Sequence, residues 1–523
     1  MKKIFLLLAI VLFTFVFALP SFAAPQLRYS HAGSFENWTE EAYYSSPAVI
    51  DLDGDGSMEI VFSNYSITVL DAATGAVKWK VNSGYDRNTP VHEFGLSNGH
   101  TWSDVEIHDI NCDGKYEIIT GHGHGVISVL DSNGYFLPGW PQRPLDASVR
   151  CVEVADLDGN GTKEIIAGYG VESNTSVYVF NSDGTLRSGW PQTRGNNGIT
   201  SWTAGLYMDN ITTGDLDGDG KPEIVVPSDL SFISVFEEDG SAVMANREVY
   251  GDNAWGHIAF FEDYSAEIRN ENKGWGFDVD GTELREELYK AEFGHSKAHI
   301  CDVDGNGSKE VVVSVLMCNR KYAPTYPPTE YMSVAILNAD RTRYSNDYLG
   351  YNWESIPTDL GSPLVQNSES VTSNMYQSNE ICDIDGDGKV EILFNSYNGK
   401  VHCFGLDKRE PYAWPYSLTK RSDPEFEYAS PVVCYDFNRD GKKEIVFTSY
   451  YDSTTNYGIK NGSLYILSHE GRPLSVTTLP GSKEAGRYSN GAMAAPVVCD
   501  IDGDGTAEII VNTIYGAICV YDV

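Results

Sequence analysis

Eight short stretches of this chain place acidic oxygens at one fixed spacing, and that spacing is the chemistry of a hard cation. The first stretch presents Asp51, Asp53, Asp55 and Glu59 around Gly56. The others present Asp109, Asn111, Asp113 and Glu117; Asp156, Asp158, Asn160 and Glu164; Asp215, Asp217, Asp219 and Glu223; Asp302, Asp304, Asn306 and Glu310; Asp383, Asp385, Asp387 and Glu391; Asp436, Asn438, Asp440 and Glu444; and Asp500, Asp502, Asp504 and Glu508. Counted from the first Asp, oxygens fall at positions 1, 3, 5 and 9, and position 6 is always Gly. Oxygen-only donors on a glycine-bent loop suit calcium, which takes about six to eight oxygens in a flexible shell. An EF-hand loop closes with a later Glu on an exiting helix. Here the Glu opens an apolar, β-branched run such as Glu59-Ile60-Val61-Phe62 or Glu310-Val311-Val312-Val313, which reads as a strand. Residues before the loops, such as Pro47-Ala48-Val49-Ile50, read the same way. Each copy is strand, cation loop, strand, and up to eight Ca2+ ions are expected. One copy alone would pass for an acidic hairpin turn; eight with one ligand pattern do not.

The elements that position these loops repeat with them. Loop starts lie 47 to 87 residues apart, a period typical of propellers and related arrays. The third repeat shows the unit: strand Val149–Ala155, loop, strand Glu164–Ala167, strand Ser176–Phe180, the tight turn Asn181-Ser182-Asp183-Gly184, and a fourth strand ending in Gly189-Trp190-Pro191. Four antiparallel strands make a propeller blade. After the last loop only two strands follow, Glu508–Asn512 and Ala517–Tyr521, whereas Gln26–Ser34 precedes the first blade. Joining them removes two open sheet edges. The sequence therefore predicts an all-β, eight-bladed β-propeller of four-stranded antiparallel blades. The N-terminal strand closes it by joining the last blade, and the calcium loops lie between first and second strands. Seven blades plus a stray repeat is the alternative.

Several segments carry a family likeness. Tyr428-Ala429-Ser430-Pro431-Val432-Val433, followed by Asp436-Phe437-Asn438-Arg439-Asp440-Gly441, resembles an FG-GAP (VCBS) repeat, as do Ser46-Pro47-Ala48-Val49 and Ala495-Pro496-Val497-Val498. The Gly-Trp-Pro ends at 139–141 and 189–191, and Ala413-Trp414-Pro415, are similar to the same family. The resemblance covers nearly all of the chain beyond its leader. It implies a propeller shared with integrin α-subunit heads and with some polysaccharide lyases and lectins, and it speaks to fold and calcium more than to function. The stretch Gly294-His295-Ser296-Lys297-Ala298-His299-Ile300-Cys301-Asp302 is weakly similar to one in eight-bladed rhamnogalacturonan lyases, with a different His spacing.

Composition bounds the rest. The formal charge is −37, but the loops hold 28 of the 74 acidic residues and leave 46 against 37 basic ones. The acidity reflects metal sites more than a charged surface, and no basic stripe exists to neutralise nucleic-acid phosphates. Met1-Lys2-Lys3, an apolar run Ile4–Leu19 and Pro20-Ser21-Phe22-Ala23-Ala24 read as a signal peptide over residues 1–23, with a retained anchor as the alternative. The expected protein is secreted or extracytoplasmic, with no transmembrane span after processing. Residues 24–523 form a single propeller with insertions near 241–296, 317–332 and 342–376. Asp278-Val279-Asp280-Gly281 imitates the loop motif but reads as a hairpin turn. Of nine Cys, Cys301, Cys382 and Cys499 each stand one residue before a loop, a place for small core-facing side chains. A Cys301–Cys382 disulfide between neighbouring repeats stays open. His122 and His124 suit a transition metal, but no third ligand is tied to them in sequence.

The residues upstream of each loop would line the mouth opposite the cations. They are Tyr43 and Tyr44; His100, Trp102, Asp104 and Glu106; Arg150 and Glu153; Asp209 and Asn210; His295, Lys297 and His299; Tyr376, Gln377 and Glu380; Glu427 and Tyr428; and Asn490. Tyr65, Tyr169, Tyr397, Tyr450 and Tyr515 are expected to form an exposed rim suited to sugar rings or a protein partner. The expected ligand site comprises Tyr44, Trp102, Asp104, Arg150, Asp209, His295, Lys297, His299, Tyr376 and Tyr428, unless these groups merely hydrate a channel. Two functions fit: a binding module for a glycan or a cell-surface protein, or a lyase on acidic polysaccharide. For the lyase, Lys297, His299, Arg150 or Tyr428 would supply the base or the neutralising cation.

Overall fold

The computed structural model describes residues 22–32, 34–35, 38–39, 45–89, 100–170, 176–193, 210–228, 231–269, 289–293, 296–318, 330–358, 378–418, 426–452, 461–481 and 491–523. Tyr43, Tyr44, Asp209, Asp278 to Gly281, His295, Tyr376, Gln377, Asn490 and nearly all of the leader lie outside them.

Each loop separates two paired strands, and the strand opened by Glu is among the most buried of its blade. In blade one, Glu59–Ser63 is buried throughout and lies between Ala48–Ile50 and Ser66–Asp71, with Val77–Asn82 outermost. Apolar side chains emerge on both faces of this strand because neighbouring blades cover both faces, so it shows no alternation. The first strands are half-exposed instead, for example Ala48–Ile50, Glu106–His108 and Thr212–Gly214. They stand side by side between most successive blades, including the last and the first, and so line the centre of the ring.

Eight such sheets form the ring. Blades one, three, five, six and eight are four-stranded sheets. The N-terminal strand Gln26–Ala32 pairs antiparallel with Ala517–Asp522, from Gln26 opposite Asp522 to Ala32 opposite Ala517, and so completes blade eight. Blades two and four depart from the four-stranded expectation. Their fourth segments make bridges such as Leu130 with Phe136 and Phe236 with Ala242 instead of strands. In blade two, Pro138 and Pro141 withhold ladder donors. In blade four the chain leaves for an insertion with helices Arg247–Tyr250 and Tyr264–Ile268. Blade five gains Lys290–Glu292 beside Glu310–Cys318, and blade seven gains Phe426–Ala429 beside Glu444–Asp452.

Tryptophans staple neighbouring blades. The indole N–H groups of Trp79, Trp140, Trp190, Trp353 and Trp414 donate to the carbonyls of Ser132, Ser182, Glu238, Leu406 and His469, each in the hairpin turn of the next blade, at 2.8–3.1 Å. The Gly of Gly-Trp-Pro permits this approach: at Gly139 a Cβ would stand 2.0 Å from the Asp183 carbonyl oxygen. The insertion is tied down differently. Glu267, with no exposed side-chain surface, meets Arg341 and Arg343 of blade five at 2.7 and 2.9 Å, and both of these are equally buried.

Candidate metal loops and central channel

All eight loops share one backbone design. The N–H of position 2 donates to the Glu at position 9 at 2.6–3.1 Å in every copy. The position-5 side chain accepts from the N–H of position 7 at 2.7–2.9 Å in every copy. In seven loops the Gly at position 6 donates to the first Asp. Position 6 has φ between +83° and +95°, the left-handed region that favours Gly. Position 4 is left-handed too, and there two loops carry Cys112 (φ 61°) and Arg439 (φ 59°) instead of Gly. These two side chains donate to Gly161 and Gly505 of the next blade's loop, so neighbouring loops touch on one face of the ring.

The donor set fits a hard cation. Oxygens of positions 1, 3 and 9 lie within 4.8 Å of one another in Asp51/Asp53/Glu59, Asp156/Asp158/Glu164, Asp215/Asp217/Glu223 and Asp383/Asp385/Glu391. Burial, aided by neighbouring carboxylates, pushes Glu117, Glu223, Glu310 and Glu391 up to about 7. Burial also raises Glu59, Glu164 and Glu508, but there Lys78, Arg187 and Arg28 oppose the rise. Sequence reasoning overlooked these three bases. Beside the sixth loop a cavity of about 360 Å³ is lined by Tyr351, Asp385, Asp387, Glu391 and Arg409 among others.

The opposite end of the channel brings together part of the expected ligand set. The Arg150 guanidinium lies 4.0 Å from the centre of the half-buried Trp102 ring. Lys297 stands 3.7 Å from Glu153, which also accepts from Thr213. His299 meets the Ser378 hydroxyl at 3.3 Å, and burial together with Lys297 lowers its pKa to about 4, so the imidazole is neutral. Asp104 accepts the Ser46 N–H at 2.6 Å.

Other expected members sit in the core. Tyr428 is fully buried in a cluster with Tyr450 and Trp353, because the extra strand Phe426–Ala429 lies under its neighbours. Glu427 accepts from Ser449 and Tyr465, and Asn210 donates to the carbonyls of Phe293 and Ser296. The exposed rim is corrected as well: Tyr169, Tyr397 and Tyr450 are buried between blades, while Tyr65 and Tyr515 are half-buried. His122 does not join His124 as a ligand pair; it is buried, with its ring nitrogens on the hydroxyls of Thr101, Thr120 and Ser128. All nine cysteines are free thiols, and Cys382 lies with Cys434 and Glu380 rather than with Cys301.

The sequence of this ring places it among known repeats. The FG-GAP-like repeat family matches residues 156–226 and 436–511, each spanning at least one loop and its strands. Two segments of the chain match FG-GAP-like repeats. The ring is similar to several solved structures at low identity. BamB from Moraxella catarrhalis is 11% identical, over 96% of this chain and 98% of that one, with a TM-score of 0.42. The exotype rhamnogalacturonan lyase YesX is 14% identical, over 96% and 76%, with a TM-score of 0.48. Rhamnogalacturonan lyase PL11 of Bacillus licheniformis is 16% identical, over 93% and 72%, with a TM-score of 0.44. No curated protein matches this chain in sequence. Among the described residues no helix is long and apolar enough to cross a membrane.

Proposed function

We propose that the protein is an exported, calcium-stabilised propeller that binds an extracellular glycan or cell-surface protein at the channel mouth opposite its loops. The observation that carries this reading is the Arg150–Trp102 stack, half-exposed at that mouth. A flat aromatic face beside a fixed cation suits a sugar ring bearing a carboxylate. Lys297, from a neighbouring part of the channel wall, adds a second cation. Calcium supports the scaffold by drawing the two strands of each occupied loop together, and the basic, apolar start of the sequence supports export.

The state of His299 favours a second reading, a polysaccharide lyase. A lyase needs a base that is unprotonated at neutral pH, and a neutral imidazole beside Lys297 meets that need. One experiment separates the readings. Purified protein is passed over immobilised acidic polysaccharide, and the eluate is monitored for the absorbance of unsaturated product. Retention without product, lost in Trp102→Ala and Lys297→Ala at unchanged melting temperature, supports the binding module. Product formation abolished by His299→Ala supports the lyase. Unchanged retention in both single variants removes the site from this mouth.

A further inference from the structure

Three of the eight loops already contain a cation that belongs to the protein. In blade one, Lys78 Nζ lies 2.8 Å from Asp53 Oδ2 and 2.7 Å from Glu59 Oε1. In blade three, Arg187 lies 3.1 Å from Asp158 Oδ2 and 3.2 Å from Glu164 Oε1. In blade eight, Arg28 lies 2.9 Å from Asp502 Oδ2 and 3.0 Å from Glu508 Oε1. The base thus meets the same two ligands, positions 3 and 9, in each case. All three Glu carboxylates are buried, so these contacts are screened far less than surface ion pairs.

The three bases also occupy one structural position. Lys78 and Arg28 are the extra residues of β-bulges in the outermost strands of their blades, between Val77 and Trp79 and between Leu27 and Tyr29. A bulge re-aims a side chain out of the regular alternation, here onto the loop. Arg187 holds the same register, its N–H donating to the Val179 carbonyl on the adjacent strand. At this register the remaining blades carry no base. Leu137 and Val243 make the matching bonds to Val129 and Val235, and Leu474 is the bulge residue of blade seven. In blade five the position is Tyr344, and its hydroxyl donates to Asp304 at 2.7 Å; in blade six it is Pro411, and the next residue, Tyr412, donates to Asp385 at 2.6 Å. Lys389 in loop six reaches only Asp387, from a largely exposed side chain.

We infer that the loops fall into two classes: five that take a divalent cation, in blades two and four to seven, and three in blades one, three and eight where Lys78, Arg187 and Arg28 stand in for it. The inference rests on the reading of the loops as calcium sites. A fixed positive charge on two of the four ligands repels an incoming divalent ion and holds the oxygens it would need, so affinity at those loops is at least roughly tenfold weaker. The seam of the ring, where blades one and eight meet, is thereby held without metal.

The test is calcium stoichiometry by equilibrium dialysis and native mass spectrometry on the intact chain, with the near-ultraviolet circular dichroism spectrum as a folding control. The wild type should hold five ions. Arg187→Leu, which copies blade two, should hold six, and Leu137→Lys, which copies blade one, should hold four. Eight ions of like affinity in the wild type, or an unchanged count in both folded variants, overturns the two classes while leaving the calcium reading intact. No bound calcium in any of the three overturns both.

Discussion

Removing the Glu267 carboxylate should loosen the insertion without disturbing the ring. Glu267 serves two guanidinium groups at once, and all three side chains are fully buried. Tyr250 donates to the same carboxylate at 3.2 Å. Deleting one member of a buried ion pair costs about 3–5 kcal/mol, because the partner is left charged and dry. Here two cations would be stranded, although Arg343 keeps the carbonyl of Phe261 and the face of Phe260 at 4.3 Å. The expected cost of Glu267→Ala is therefore about 4 kcal/mol, a roughly thousandfold rise in the open population of the segment. Glu267→Gln keeps the volume and one acceptor and should cost less. Native-state hydrogen exchange of residues 247–269 measures the opening directly, which matters because a large repeat ring need not melt in one step. Protection within threefold of wild type in Glu267→Ala would refute the idea that this carboxylate anchors the insertion.

Other perturbations address the loops and the closure. In metal-free protein, Glu117, Glu223, Glu310 and Glu391 titrate near 7 when folded and near 4.5 when unfolded, so the native state holds more protons and their contribution to stability falls as pH rises between those values. Calcium displaces those protons, so the rise in melting temperature on adding calcium should be larger at pH 8 than at pH 5; equal rises would count against ligation by these carboxylates. At tenfold excess over Kd, each occupied loop contributes about 1.4 kcal/mol, so Asp383→Ala should cost roughly that much more in calcium than in chelator, as read by urea titration. Deleting residues 26–32 should open blade eight and lower the melting temperature even at saturating calcium. Cys112→Gly should relieve a left-handed strain of about 1 kcal/mol and raise the urea midpoint.

The ring and its loops were legible in sequence because both are local. A ligand spacing of 1, 3, 5 and 9 and a Glu-led apolar run are read within ten residues, and the missing strand of blade eight was read by counting. Contacts between blades were not legible, because no sequence period encodes how one sheet leans on the next. Tyr169, Tyr397 and Tyr450 stand where turns were expected, yet they point between blades and are buried. The same gap hid the meeting of Cys382 with Cys434 and the burial of Tyr428. The base on the loops did leave a trace. Lys78 and Arg187 each stand three residues after a turn glycine, Gly75 and Gly184, where blades two, four and seven have Leu137, Val243 and Leu474.

The antiparallel closure also decides how the ring answers tension. Gln26 lies opposite Asp522, so chain leading into the closing strand and chain leaving the last one exit from the same end of one ladder. A pull on both would peel the strand one hydrogen bond after another instead of shearing six residue pairs at once. The first pairs to be loaded are those beside Arg28, which grips Asp502, Glu508 and Asp522 together. The rupture force of the ring should then be set by that one guanidinium, a latch placed at the end of the ladder where the pull arrives.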